Sequence, residues 1–320
     1  MITEETEFYN PNEYPELVEQ WEMHEDAHWT HREVRMPEDI EQWQSGEITD
    51  VEKSLIGNVL KLWTQSDVNV GGMYKKRLIG FFRNDKASDL LTSFAGREAV
   101  HKNAYAHLNN SLGLGESSYS EFLEIAEMAE KHDYMLEQVE DIKLYLAKQI
   151  LVEGVSLFAS FVILFNFSRF GKMKNMCDIV RWSMKDESMH VIGNAEILKI
   201  YLKETGQSLD EEAVRETALR LVELEDAFID RAYELGEVRG LPKDDVKKYI
   251  RYVTNYRLWQ IGLTSPLFDI EENPIPWVND IMGGQAFTNF FEREVTDYSK
   301  NNMSGEMTQD MVAKWANYSS

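Results

Sequence analysis

Two tetrapeptides place the same pair of metal-binding side chains at the same spacing: Glu98-Ala-Val-His101 and Glu187-Ser-Met-His190. Three residues apart on a helix, a carboxylate and an imidazole lie on one face and can hold one ion between them. Glu25 and His28 form a third such pair. With seven histidines and 56 acidic residues in 320, roughly one pair of this kind arises by chance, so the spacing identifies nothing by itself.

The decisive additions are two lone acids in apolar or small-residue surroundings. Asp67 lies in "LWTQSDVNVGGMY" and Glu153 in "QILVEGVSLFASF". A carboxylate buried in such a stretch needs a compensating partner, and a cation is a good one. Dinuclear carboxylate bundles combine one Glu-x-x-His from each of two helices with a lone carboxylate from each of two others. Asp67 is 17 residues before a turn near Asn84, and Glu98 is 14 after it. At the helical rise these are roughly 25 and 21 Å. Glu153 and Glu187 stand 18 and 16 residues from Gly171, roughly 27 and 24 Å. Two antiparallel hairpins therefore bring four carboxylates and two imidazoles to one level, the donor set of a dinuclear iron or manganese site. Glu25 and His28 have no matching lone acids. With His24 and His31 they read as a polar helix face with a surface or interface role.

The elements that must carry these residues are helices. No proline occurs between Glu38 and Leu241, a span rich in Leu, Glu, Lys and Met, and valine and isoleucine show no strand-like alternation. "ITDVEKSL" starts a helix with Thr49 as cap and Glu52 as its capping-box partner. Breaks fall at Arg83–Asp85, at Leu112–Ser118 and around Gly171 and Gly206. The fold predicted is all-α, a ferritin-like helical bundle with additional helices and the dimetal site in its core. The folded body spans 1–297, and a polar flexible tail spans 298–320.

Composition narrows the function. A net charge of −23 repels phosphates and argues against nucleic acid and anionic membranes. The apolar run Leu157–Phe167 is 11 residues long, short for a bilayer, and reads as a core helix. A single cysteine, Cys177, allows no intrachain disulfide and no thiolate zinc site. These features, with an acidic N-terminus, fit a cytoplasmic protein.

The order Asp67, Glu98-x-x-His101, Glu153, Glu187-x-x-His190 resembles the small (β) subunit of class I ribonucleotide reductase. "HWTHREVRMPEDIEQW", "GREAVHKNAY", "VRWSMKDESMH" and "NFFEREVTDY" each resemble a segment of that family, so the likeness covers most of the chain. It implies a radical-generating subunit whose six ligands bind Fe/Fe, Mn/Mn or mixed Mn/Fe. Tyr105 matches the radical tyrosine and Trp29 the tryptophan that relays the oxidising equivalent. Asp186 matches the aspartate joining that tryptophan to His101. Tyr298 matches the tail tyrosine that passes the equivalent to the large (α) subunit. A homodimer is implied, and a flavoprotein activase is a further partner that the residues neither demand nor exclude. Where the family packs large apolar side chains around the radical tyrosine, this chain has Leu157, Phe161 and Ser183. The oxidising equivalent is then stored either on Tyr105 or on the metal ions.

One cysteine cannot supply the several redox thiols that nucleotide reduction by this route needs, so substrate and thiols belong to a partner. Two other readings share the bundle: an oxidase or hydroxylase acting on its own organic substrate, and a non-catalytic iron-storage shell. Neither needs Trp29, Asp186, Tyr105 and Tyr298 together.

Overall fold

Residues 1–281 are described by a computed structural model. The helices run α1 (Pro15–Asp26), α2 (Pro37–Ser45), α3 (Asp50–Met73), α4 (Ile79–Phe81), α5 (Asp85–Ser111), α6 (Ala126–Leu136), α7 (Ile142–Leu151), α8 (Phe158–Phe165), α9 (Lys174–Thr205), α10 (Glu211–Ala232), α11 (Lys243–Gln260) and α12 (Trp277–Ile281). Residues 1–275 form one unit; α12 belongs to a second that begins at Pro276. No strand occurs among the described residues, as the missing alternation predicts. Tyr298, the tail from 298 and the expected boundary at 297 lie outside the described residues.

The caps follow from local chemistry. Thr49 accepts the Glu52 amide at 3.3 Å, and the Glu52 carboxylate accepts the Thr49 amide at 2.9 Å, which satisfies two orphan donors of the first turn of α3. Asn84, in the predicted break, accepts from the Lys86 amide at 3.1 Å and starts α5. α3 and α5 are long antiparallel neighbours joined through a π-helical turn and α4, and α7, α8 and α9 pack beside them. α1 lies across α5 and α9.

Two π-helical turns occur among the described residues. Tyr74–Leu78 is a π-helical turn joining α3 to α4, and Val152–Ser156 is another between α7 and α8. The second contains Glu153. Widened turns of this kind are frequent at functional sites. The stretch Ile142–Phe170 is long and apolar enough to cross a membrane, longer than the 11-residue run suggested, but its most apolar 18 residues are all buried within the protein. Its hydrophobicity serves the core, where Phe158, Phe161 and Phe165 are fully enclosed.

Small residues let the ligand helices approach. A Cβ on Gly71 would stand 3.1 Å from Cβ of Glu98, so glycine there sets the α3–α5 spacing beside that glutamate. A Cβ on Gly193 would meet the Phe94 ring at 2.6 Å, and that ring lies 4.4 Å from His190.

Candidate metal centre

Asp67 comes from α3, Glu98 and His101 from α5, Glu153 from the π-helical turn before α8, and Glu187 and His190 from α9. All six are buried. Their donor atoms form two overlapping groups, each within 4.8 Å: Asp67, Glu98, His101 and Glu187, and Glu98, Glu153, Glu187 and His190. Glu98 and Glu187 belong to both. His101 Nδ1 lies 3.1 Å from Glu187 and 3.6 Å from Glu98. His190 Nδ1 lies 3.1 Å from Glu98, 3.3 Å from Glu187 and 3.5 Å from Glu153.

The cluster fits a pair of metal ions on a direct test. Both carboxylate oxygens of Asp67, Glu98 and Glu187, and Nδ1 of both histidines, are buried with no hydrogen-bond partner among the described residues. Buried polar atoms are otherwise nearly always satisfied. Eight such atoms facing one space, all good donors to a hard or borderline cation, are what a dinuclear site requires.

The protonation pattern agrees. Burial opposes charge on His101, but Asp186, Glu187 and Glu98 outweigh it and hold the imidazole well above its ordinary pKa. Burial likewise opposes charge on His190, and Glu187 and Glu153 more than offset it. Burial, reinforced by Glu98, drives the Asp67 carboxyl well up, and burial pushes Glu153 up to about 7 despite the His190 contact. The anionic pocket gathers protons that a cation would displace.

The outward nitrogens of the two histidines are anchored differently. His101 Nε2 donates to Asp186 Oδ2 at 3.0 Å, and the same oxygen accepts from Trp29 Nε1 at 2.7 Å. The Trp29 and His101 rings stack at 5.8 Å. Arg97 Nη1 donates to Asp186 Oδ1 at 2.6 Å, and the guanidinium also reaches the carbonyls of His24 and Ala27. Burial works against charge on Asp186, yet His101 and then Arg97 hold it down at about 2. On the other side, His190 Nε2 faces His24 Nε2 at 3.1 Å, His24 Nδ1 faces Ser93 Oγ at 2.6 Å, and Ser93 Oγ donates to the exposed Glu25. Burial, then the neighbouring His190, push His24 down to about 2, so it stays neutral and accepts from His190.

This corrects the expectation for the N-terminal histidines. α1 ends at Asp26, so Glu25 and His28 are not a helical pair, and His31 sits in a separate single turn. Glu25 and His28 are exposed, but His24 is fully buried against His190. Sequence reading missed His24 because its partners come from α5 and α9. It missed Arg97, Tyr74 and Asn194 for the same reason. Two signals were present: an arginine within "GREAVH", one residue before Glu98, and Gln149, one helical turn before Glu153 in the same stretch.

Tyr105 is buried one turn past His101, the two rings 6.3 Å apart. Burial and then the Asp67 carboxylate raise its phenol well above the ordinary value, so it keeps its proton. Trp63 lies flat on its ring at 4.2 Å with a 10° tilt, and Phe161 meets Trp63 edge-on at 5.0 Å. No spacing argument from Tyr105 pointed to Trp63.

Comparison with known proteins agrees with this geometry. Residues 7–274 match the family model for the ribonucleotide reductase small chain. This chain belongs to that family. The probable ribonucleoside-diphosphate reductase small subunit of Invertebrate iridescent virus 3 is 36% identical over 93% of this chain and 85% of its own. The subunit beta of Chlamydia pneumoniae is 26% identical over 84% and 83%. The ribonucleotide reductase R2 subunit from Clostridium botulinum shares the fold at a TM-score of 0.77 and 20% identity, covering 87% of this chain and 92% of its own. The all-α, ferritin-like reading of the sequence holds, as does its family.

Proposed function

We propose that this chain is the radical-generating subunit of ribonucleoside-diphosphate reductase and works only with a large (α) subunit that binds the nucleotide. The observation carrying the reading is the set of eight unpartnered, buried donor atoms in a member of this family. Asp67, Glu98, His101, Glu153, Glu187 and His190 would hold two ions of iron, manganese or one of each. When bound, the ions supply one-electron oxidising power drawn from oxygen or an oxygen-derived oxidant.

The chain's own residues do the rest. Asp186 accepts hydrogen bonds from both His101 and Trp29 on one oxygen, which orients the imidazole toward the pocket and holds the indole against it. Trp29 is the buried relay. The oxidising equivalent is stored on Tyr105 or on the ions; at rest the phenol keeps its proton on Oη, under the ring of Trp63. Tyr298 would pass the oxidising equivalent to the large subunit, and a homodimer and a flavoprotein activase complete the proposed assembly. The only cysteine, Cys177, is buried and its thiol pushed up by burial, so the reducing thiols lie with the partner.

The test is a mixing experiment. Metal-loaded protein should stimulate nucleoside diphosphate reduction by a cognate large subunit, and Tyr298→Phe should abolish that turnover while leaving metal content unchanged. Absence of stimulation by the wild type refutes the reading.

A further inference from the structure

The two metal positions share Glu98 and Glu187 but differ in their private carboxylates. Asp67 has no hydrogen-bond partner on either oxygen among the described residues. Glu153 is gripped by three side chains. Tyr74 Oη donates toward Oε1 at 2.6 Å and Oε2 at 2.8 Å. Gln149 Nε2 donates to Oε1 at 3.0 Å, and Asn194 Nδ2 donates to Oε2 at 3.0 Å. Asn194 Nδ2 also reaches Tyr74 Oη at 2.6 Å, so the phenol oxygen is fixed from behind and its proton is directed at Glu153. Tyr74, Gln149 and Asn194 are all fully buried.

A carboxylate has about four lone-pair directions. Three neutral donors on Glu153 leave it little freedom to swing, whereas both oxygens of Asp67 are uncommitted. Tyr74 opens one π-helical turn and Glu153 lies in the other, so both widened turns are spent on this contact.

We propose that Tyr74 is the positioning residue for one metal ion only: by clamping Glu153 it sets the affinity of the position shared with His190, and leaves the Asp67–His101 position to its unclamped ligand. This rests on the two-ion reading given above. It adds that the two positions are built on different principles and can be tuned separately by a residue that touches no metal.

The experiment is a titration of the metal-free full chain with Mn2+ alone, followed by calorimetry and by the electron paramagnetic resonance of free and bound ion. The wild type should take up two ions per chain. Tyr74→Phe keeps the ring and should weaken one of the two binding events by about tenfold, the usual scale for losing a hydrogen bond behind a ligand, while the other stays within about twofold. Gln149→Met should weaken the same event by less. In a Glu153→Gln background, Tyr74→Phe should have no further effect, which a packing role would not predict. If Tyr74→Phe weakens both events equally, weakens neither, or acts undiminished in the Glu153→Gln background, the proposal fails. If the wild type takes up no Mn2+, it is the two-ion reading that fails.

Discussion

The two histidines of the centre have the same spacing from a glutamate, the same burial and the same inward Nδ1, yet opposite support. Behind His101 stands a charged system of Asp186, Arg97 and Trp29. Behind His190 stands a neutral chain, His24 and Ser93, ending at an exposed glutamate. An anionic acceptor makes its imidazole a stronger donor to metal than a neutral one does. Equal motifs in sequence therefore have unequal support in space. The side carrying Trp29 is also the side that resists change, since its buried charges depend on one another.

The largest effect should come from removing the charge centre. Asp186→Ala leaves Arg97 buried without its carboxylate and should destabilise the fold by about 3–5 kcal/mol, measured by denaturant unfolding; a loss under about 1 kcal/mol would mean the charged side is not a unit. A smaller effect is expected opposite. His24→Leu leaves the outward nitrogen of His190 without its acceptor and should lower metal affinity by about tenfold and stability by about 1–3 kcal/mol, as calorimetry and denaturant unfolding would report; a stability loss equal to that of Asp186→Ala would erase the contrast between the two supports. The third measurement concerns protons. Both ligand imidazoles have folded-state pKa values raised above the ordinary 6.5, so without metal they stay protonated as pH rises through neutrality. Metal binding must release those protons, and affinity should fall as pH is lowered. Calorimetry in buffers of different ionisation enthalpy should show proton release at pH 7, and a buffer-independent heat would contradict the shifts.

Much of this is legible in the sequence. The ligand heights followed from the helical rise and the positions of Asn84 and Gly171, because long antiparallel helices make depth a linear function of sequence. The pairing of Trp29 with Asp186 came through resemblance, and the geometry agrees at 2.7 Å. What stayed hidden has one cause. His24, Tyr74 and Trp63 are defined by contacts across helices, and rotation about a helix axis is not readable from spacing alone. The face of α1 was read as polar because its residues are polar. Packing against α5 and α9 turned His24 inward and left Glu25 in solvent.

The widened turns at Tyr74–Leu78 and Val152–Ser156 have a consequence for how this chain can change. Each holds one residue more than the helix around it needs, and every residue in a regular helix advances the side-chain direction by about 100°. Deleting one residue from either turn would yield a more regular helix and a better local hydrogen-bond ladder. It would also rotate everything beyond the deletion out of phase with Asp67 or Glu153. The irregularity thus acts as a phase adjuster, keeping two stretches of helix aimed at one point when a uniform winding would aim them apart.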